Sequence, residues 1–99
     1  MDAMTNLLNQ EHVEKFAVLM EMQCKKQGHL NVKQTAILLK WCGLPLLPNH
    51  DANHVVKLMN QIAEQLPRWF MLEIKKIGGR STKKKTGGYT FYMQRISLR

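Results

Sequence analysis

Cysteine is scarce in this chain, with Cys24 and Cys42 the only two among 99 residues. Two cysteines do not make a disulfide framework, so a reducing compartment is the default. No apolar run approaches the ~20 residues that a membrane-spanning helix needs. No basic segment followed by an apolar core opens the chain, so no secretory signal is expected. These absences together predict a cytoplasmic protein with no membrane partner. Acidic residues are also few, seven against 15 Lys and Arg, and three of them fall in one predicted helix. Paired carboxylates for acid–base hydrolysis are therefore not expected.

What acid there is lies in the first two thirds. Residues 1–67 hold six Lys/Arg and six Asp/Glu, whereas residues 68–99 hold nine Lys/Arg and only Glu73. The whole net charge of +8 therefore sits in the C-terminal third. Such asymmetry points to a polyanionic partner. Its centre is Gly78–Gly88, in which paired glycines bracket Arg80, Ser81, Thr82, Lys83, Lys84, Lys85 and Thr86. Nearby acids cannot neutralise these cations. The segment separates two β-rich runs, Trp69–Ile77 and Tyr89–Leu98, and so reads as the tip of a hairpin.

The chain is long enough for one modest core. Residues 1–8 read as a flexible lead and residues 9–99 as a single domain. Asn9 caps a first predicted helix, Gln10 to Gln27, which Gly28 ends. Leu8 before that cap and Val13 fit a hydrophobic staple. Val13, Phe16, Ala17, Met20 and Cys24 form its inward stripe. Val18, Leu19 and Met22 widen the apolar face, so this helix is either deeply buried or meets a second copy of the chain.

Asn31 and Gln34 make a capping box for a second helix, Val32 to Cys42, with Ile37, Leu38, Trp41 and Cys42 as its expected buried side. Gly43 and Pro45 stop it. After Leu44–Pro48, Asn49 or Asp51 caps a third helix, Ala52 to Leu66, which Pro67 ends. Val55, Leu58, Met59, Ile62 and Leu66 point inward, and the opposite face carries Asn53, His54, Lys57, Asn60, Gln61 and Glu64. In the strands, Phe70, Leu72 and Ile74 alternate inward, and the phase breaks at Lys76-Ile77, as at a bulge or a loop onset. For the return strand, two inward sets remain open: Phe91 and Met93, or Tyr92, Ile96 and Leu98.

This order, helix, short link, helix, turn, helix, strand, basic loop, strand, resembles the winged helix-turn-helix DNA-binding family from about Glu11 to Leu98. The resemblance rests on element order and chemistry. It implies an α+β winged-helix fold with no enzymatic activity and no cofactor, binding double-stranded DNA in a sequence-specific way. Val32–Cys42 would be the supporting helix, Ala52–Leu66 the recognition helix in the major groove, and Gly78–Gly88 the wing on the backbone or minor groove. His29-Leu30-Asn31 falls where the family often has a short third strand. The turn Gly43–His50 is longer than the family's usual tight turn.

Planar amides suit base edges, and Lys or Arg suit phosphate. On that ground Asn49, His50, Asn53, His54, Lys57 and Gln61 are the candidate readers. Arg80, Ser81, Thr82 and Lys83–Lys85 are the candidate backbone contacts, with Lys75, Lys76 and Arg95 extending the basic surface. The role expected is that of a transcriptional regulator or a replication or recombination accessory factor, such as phages and plasmids use, paired as a homodimer through helix 10–27. Two other readings stay open: a protein-interaction module that docks its basic hairpin on an acidic partner, and an RNA-binding protein using Tyr89, Phe91 or Tyr92 as stacking platforms. Cys24, His29, Cys42, His50 and His54 lack the spacing of a zinc site. The loop at Gly79 lacks the spacing of a phosphate-binding loop and opens a strand.

Overall fold

The computed structural model describes residues 7–77 and 88–96. Its elements run α1 (Gln10–Gln27), β1 (Leu30–Asn31), α2 (Val32–Trp41), α3 (Ala52–Gln65), β2 (Phe70–Ile77) and β3 (Gly88–Arg95). The fold is α+β, three helices and then a β2–β3 hairpin, completed by β1 into an antiparallel sheet of order β1-β3-β2. The expected short strand is thus present, with Leu30 opposite Phe91 and Asn31 opposite Thr90. Residues 1–6, 78–87 and 97–99, with the flexible lead and the basic tip expected there, lie outside the described residues.

Each helix starts where its cap predicts. The Asn9 side chain accepts from the amides of Glu11 and His12. Asn31 and Gln34 form a reciprocal box at the start of α2, and Asp51 takes the cap of α3. These contacts satisfy donors that have no partner inside the helix. Leu8 is fixed rather than loose at its backbone: its N–H donates to Gln65 Oε1 at 2.8 Å, and its carbonyl accepts from Gln65 Nε2 at 3.1 Å.

The stripes of α1 and α3 match the sequence pattern. Val13, Phe16, Ala17, Met20 and Cys24 are buried, as are Val55, Leu58, Met59 and Ile62, while Leu66, at the C-cap just past Gln65, is half-buried against the core. The expected face of α2 needs correction. Cys42 is buried as expected, but Thr35, Ala36 and Leu39 point inward, while Ile37 and Trp41 are exposed and Leu38 is half-buried. Apolar residues surround this ten-residue helix, so periodicity selects no side. Small residues win where α2 packs closely on its neighbours. Burial does not explain the extra apolar face of α1 either, because Val18 and Met22 remain exposed.

The β2–β3 ladder pairs every residue from Phe70–Arg95 to Ile77–Gly88. No bulge interrupts it at Lys76-Ile77; the exposed Ile77 lies opposite Gly88, where an added Cβ would come 2.8 Å from Ile77 Cγ1. Phe91 and Met93 are buried, which settles the facing of β3, and Tyr92 takes the opposite face. Thr35 is fully buried, and its hydroxyl has no hydrogen-bond partner among the described residues. Thr35→Val removes that unsatisfied group at nearly constant volume. It should stabilise the fold by about 1 kcal/mol in urea unfolding, since an unpaired buried hydroxyl costs roughly 1–3 kcal/mol.

A buried charge ties α1 to the end of β3. Glu21 is only 5% exposed. Its carboxylate accepts from Arg95 Nη2 at 2.9 Å and Nε at 3.3 Å, and Lys25 Nζ lies 3.6 Å away. Arg95 also covers the Phe70 ring at 4.6 Å. Arg95 is therefore turned onto Glu21 and is not part of the free basic surface the sequence suggested. Its hydrogen bond holds the Glu21 carboxyl below its ordinary range, although burial pushes the other way. A depressed carboxyl contributes stability above its unfolded value and loses it as the pH falls through the folded one. Wild-type stability should therefore drop below about pH 4, and Glu21→Gln should flatten that acid limb in a urea series across pH.

Candidate nucleic-acid interface

The exposed side of α3 follows from its amphipathic sequence. With Val55, Leu58, Met59 and Ile62 inward, Asn53, His54, Lys57, Asn60 and Glu64 are left in solvent and Gln61 is half-exposed. Asn53, Lys57, Asn60, Gln61 and Glu64 recur at helical spacing and form one polar face. That face is what a helix needs if its side chains are to reach base edges.

The start of α3 is fixed by chemistry that also limits it. His54 N–H donates to Asp51 Oδ1 at 3.1 Å, and His54 Nδ1 lies 2.8 Å from that same oxygen and 3.2 Å from Asp51 N. His54 is thus engaged in the cap through Nδ1, leaving Nε2 as its outward atom. The hydrogen bond from the His54 backbone holds the Asp51 carboxyl below its ordinary range, ahead of a smaller opposing effect of desolvation. A carboxylate therefore occupies the positive end of the α3 dipole, where an anion such as phosphate would otherwise be favoured. Phosphate would have to approach the flank of α3, at Lys57. His50 is half-buried, with Nδ1 2.9 Å from Leu47 O, and Asn49 is exposed beside it.

The long connection into α3 is ordered at its first step. Leu44 N–H donates to Leu39 O and Gly43 N–H to Lys40 O, both at 3.0 Å. That double bond is a Schellman stop, and it requires the positive φ of 83° at Gly43. A Cβ at Gly43 would also come 3.1 Å from the His12 ring. Leu44, buried at 4% exposure, then anchors the turn in the core.

Strand parity separates two residues that the sequence grouped together. Lys75 pairs with Thr90 and Lys76 with Tyr89, so the two lysines leave opposite faces of the sheet. Lys76 shares the face of Phe70, Leu72, Ile74, Phe91 and Met93, the face against which the helices pack, and α3 contacts β2. Lys75 lies on the far face with Glu73, Thr90, Tyr92 and His29, around a shallow groove of about 190 Å³. Lys76, not Lys75, is thus on the α3 side. Arg80, Ser81, Thr82, Lys83, Lys84 and Lys85 lie outside the described residues.

The aromatic rings divide in the same way. Phe91 is fully buried, and Tyr89 stacks on it with centroids 6.5 Å apart. Of the three strand rings considered, Tyr92, half-buried, lies on the outer face. Cys24 and Cys42 are both buried, and burial pushes both thiols up. Among the described residues, no three His, Cys, Asp or Glu side chains gather as metal ligands, and no helix is long and apolar enough to cross a membrane.

Glu21, Arg95 and Asp51 are the consequential polar residues that sequence reasoning undervalued. Asp51 carried a signal, its spacing to His54. Glu21 sits four residues beyond Ala17 on the inward stripe, which marks it as buried. Comparison of the chain with family models, curated proteins and solved structures gives no match.

Proposed function

We propose that this chain is a winged-helix protein that binds double-stranded DNA, with α3 in the major groove and the basic Gly78–Gly88 segment on the backbone or minor groove. Its role would be that of a small transcriptional regulator or a replication or recombination accessory factor. The observation that carries this reading is the uncovered amide-bearing side of α3, followed in the chain by a C-terminal third, residues 68–99, that holds the entire excess of positive charge. Asn53 and Gln61 suit adenine edges, whereas Lys57 and Lys76 suit flanking phosphates. The β2–β3 hairpin that follows three helices, joined by the short β1 into a sheet of order β1-β3-β2, supports the same reading.

Of the three rings an RNA reader would use for stacking, Phe91 is buried and Tyr89 and Tyr92 are half-buried, which disfavours that use. Docking of the hairpin on an acidic protein is the competing use of the same charge. Titration of fluorescent duplex DNA across a salt series separates the two. With five phosphates neutralised, log K should fall against log salt with a slope of roughly −4 to −5. Failure to bind any duplex at moderate salt would remove the DNA reading. Asn53→Ala should lower discrimination between a selected site and random duplex by about 1–3 kcal/mol. Equal weakening on both would show that Asn53 does not read bases.

A further inference from the structure

We propose that two copies of this chain pair through α1, side by side and antiparallel about a two-fold axis near Val18 and Met22. Val18 and Met22 are 40% and 48% exposed on the outer ridge of α1. On α2, Ile37 is 62% and Trp41 68% exposed, and the Trp41 ring meets α1 at Lys15, one turn before Val18. Ile37, Leu38 and Trp41 also line an apolar groove of about 260 Å³ that α1 borders through Gln23 and Gln27. Large exposed aromatic and aliphatic side chains clustered on one face mark an interface more than a solvated surface.

The charges of α1 identify the occupant. The helix carries three Glu and three Lys, with Glu11 and Glu14 in its first turns and Lys25 and Lys26 in its last. Its solvent ridge therefore changes sign along its length, with the apolar pair midway. Such a ridge is complementary to itself only when run antiparallel, which is the self-complementarity a two-fold contact demands. A polyanion or an acidic protein finds no excess positive charge on α1. The axis would also bring Lys15 toward the partner's basic end, but Lys15 lies 5.1 Å from the Trp41 ring centroid and Lys25 is held at Glu21. Both like charges already have a partner within their own chain.

The pairing is independent of the DNA reading, and its test needs no DNA. In sedimentation at tens of micromolar and moderate salt, the full chain should run at twice its 11.5 kDa mass. The variants Glu11→Lys/Glu14→Lys and Lys26→Glu should each dimerise about tenfold more weakly or worse, because every antiparallel end contact becomes repulsive. Mixing the two in equal amounts should restore the dimer, since acid again meets base at both ends of the heterodimer. A monomeric wild type would overturn the proposal. So would variants that dimerise like wild type, or a mixture that recovers nothing while circular dichroism shows both variants folded.

Discussion

Replacing Lys83, Lys84 and Lys85 together by alanine should weaken binding to every duplex by two to three orders of magnitude near 0.1 M salt, and make the salt slope shallower by about 2–3. The sequence concentrates the charge, since residues 68–99 hold nine Lys/Arg against one Glu. Arg95 spends its charge on Glu21, and Lys75 leaves the far face of the sheet. That leaves the lysine triplet as the densest cationic group available to a phosphate backbone. Each phosphate neutralised releases condensed counterions, so the loss grows as salt falls and is indifferent to base sequence. An unchanged slope would mean that the triplet makes no phosphate contact, and would favour a hairpin that docks on protein. A loss confined to one sequence would mean that the triplet reads bases, which compact ammonium groups on flexible stems do poorly.

The same comparison separates the two halves of the surface. Asn53 and Gln61 stand on a helix braced by a capped start and a buried stripe, so their positions are rigid enough to carry sequence information. A two-fold pairing through α1 would present two such helices at once, and a palindromic site would then gain affinity from both.

Much of this architecture was legible because local chemistry and tertiary packing agree. Asn9, Asn31, Gly28 and Gly43 mark the ends of helices in their own right, and the stripes of α1 and α3 contain enough bulky residues to show a side. The face of α2 was not legible. Ile37 and Trp41 look like core residues by hydrophobicity, and only the presence of neighbours decides that Thr35 and Ala36 fit there instead. The facing of β3 was ambiguous because both sides carry aromatics, and the pairing of Phe91 with Leu30 and Ile74 resolves it. The opposition of Lys75 and Lys76 follows from strand periodicity alone; grouping them as one patch neglected it. The Glu21–Arg95 pair spans 74 residues, so only the assembled fold could join its halves.

Phe91→Ala should destabilise the fold by about 3–5 kcal/mol, the usual cost of emptying a buried phenyl site. Phe91 has no solvent exposure and occupies the central strand, opposite Leu30 of β1 and Ile74 of β2. Its carbonyl lies 4.0 Å from Cys24 Sγ on α1, and Tyr89 stacks on its ring. Removing it opens a void where α1, all three strands and the base of the hairpin meet. Against a total of roughly 5–15 kcal/mol for a domain of this kind, such a loss is a large fraction of the whole. The urea midpoint should fall with little change in slope. A cost under about 1 kcal/mol would show that the site collapses freely and does not anchor the sheet. The two variants should also differ in kind. At a temperature where Phe91→Ala is still folded, its DNA affinity should retain the wild-type salt slope, because no phosphate contact is lost. The lysine variant should keep the wild-type urea midpoint and lose the slope. Each substitution thus moves one measurement and spares the other, as expected if the core holds the reading surface in place and the hairpin charge supplies its grip.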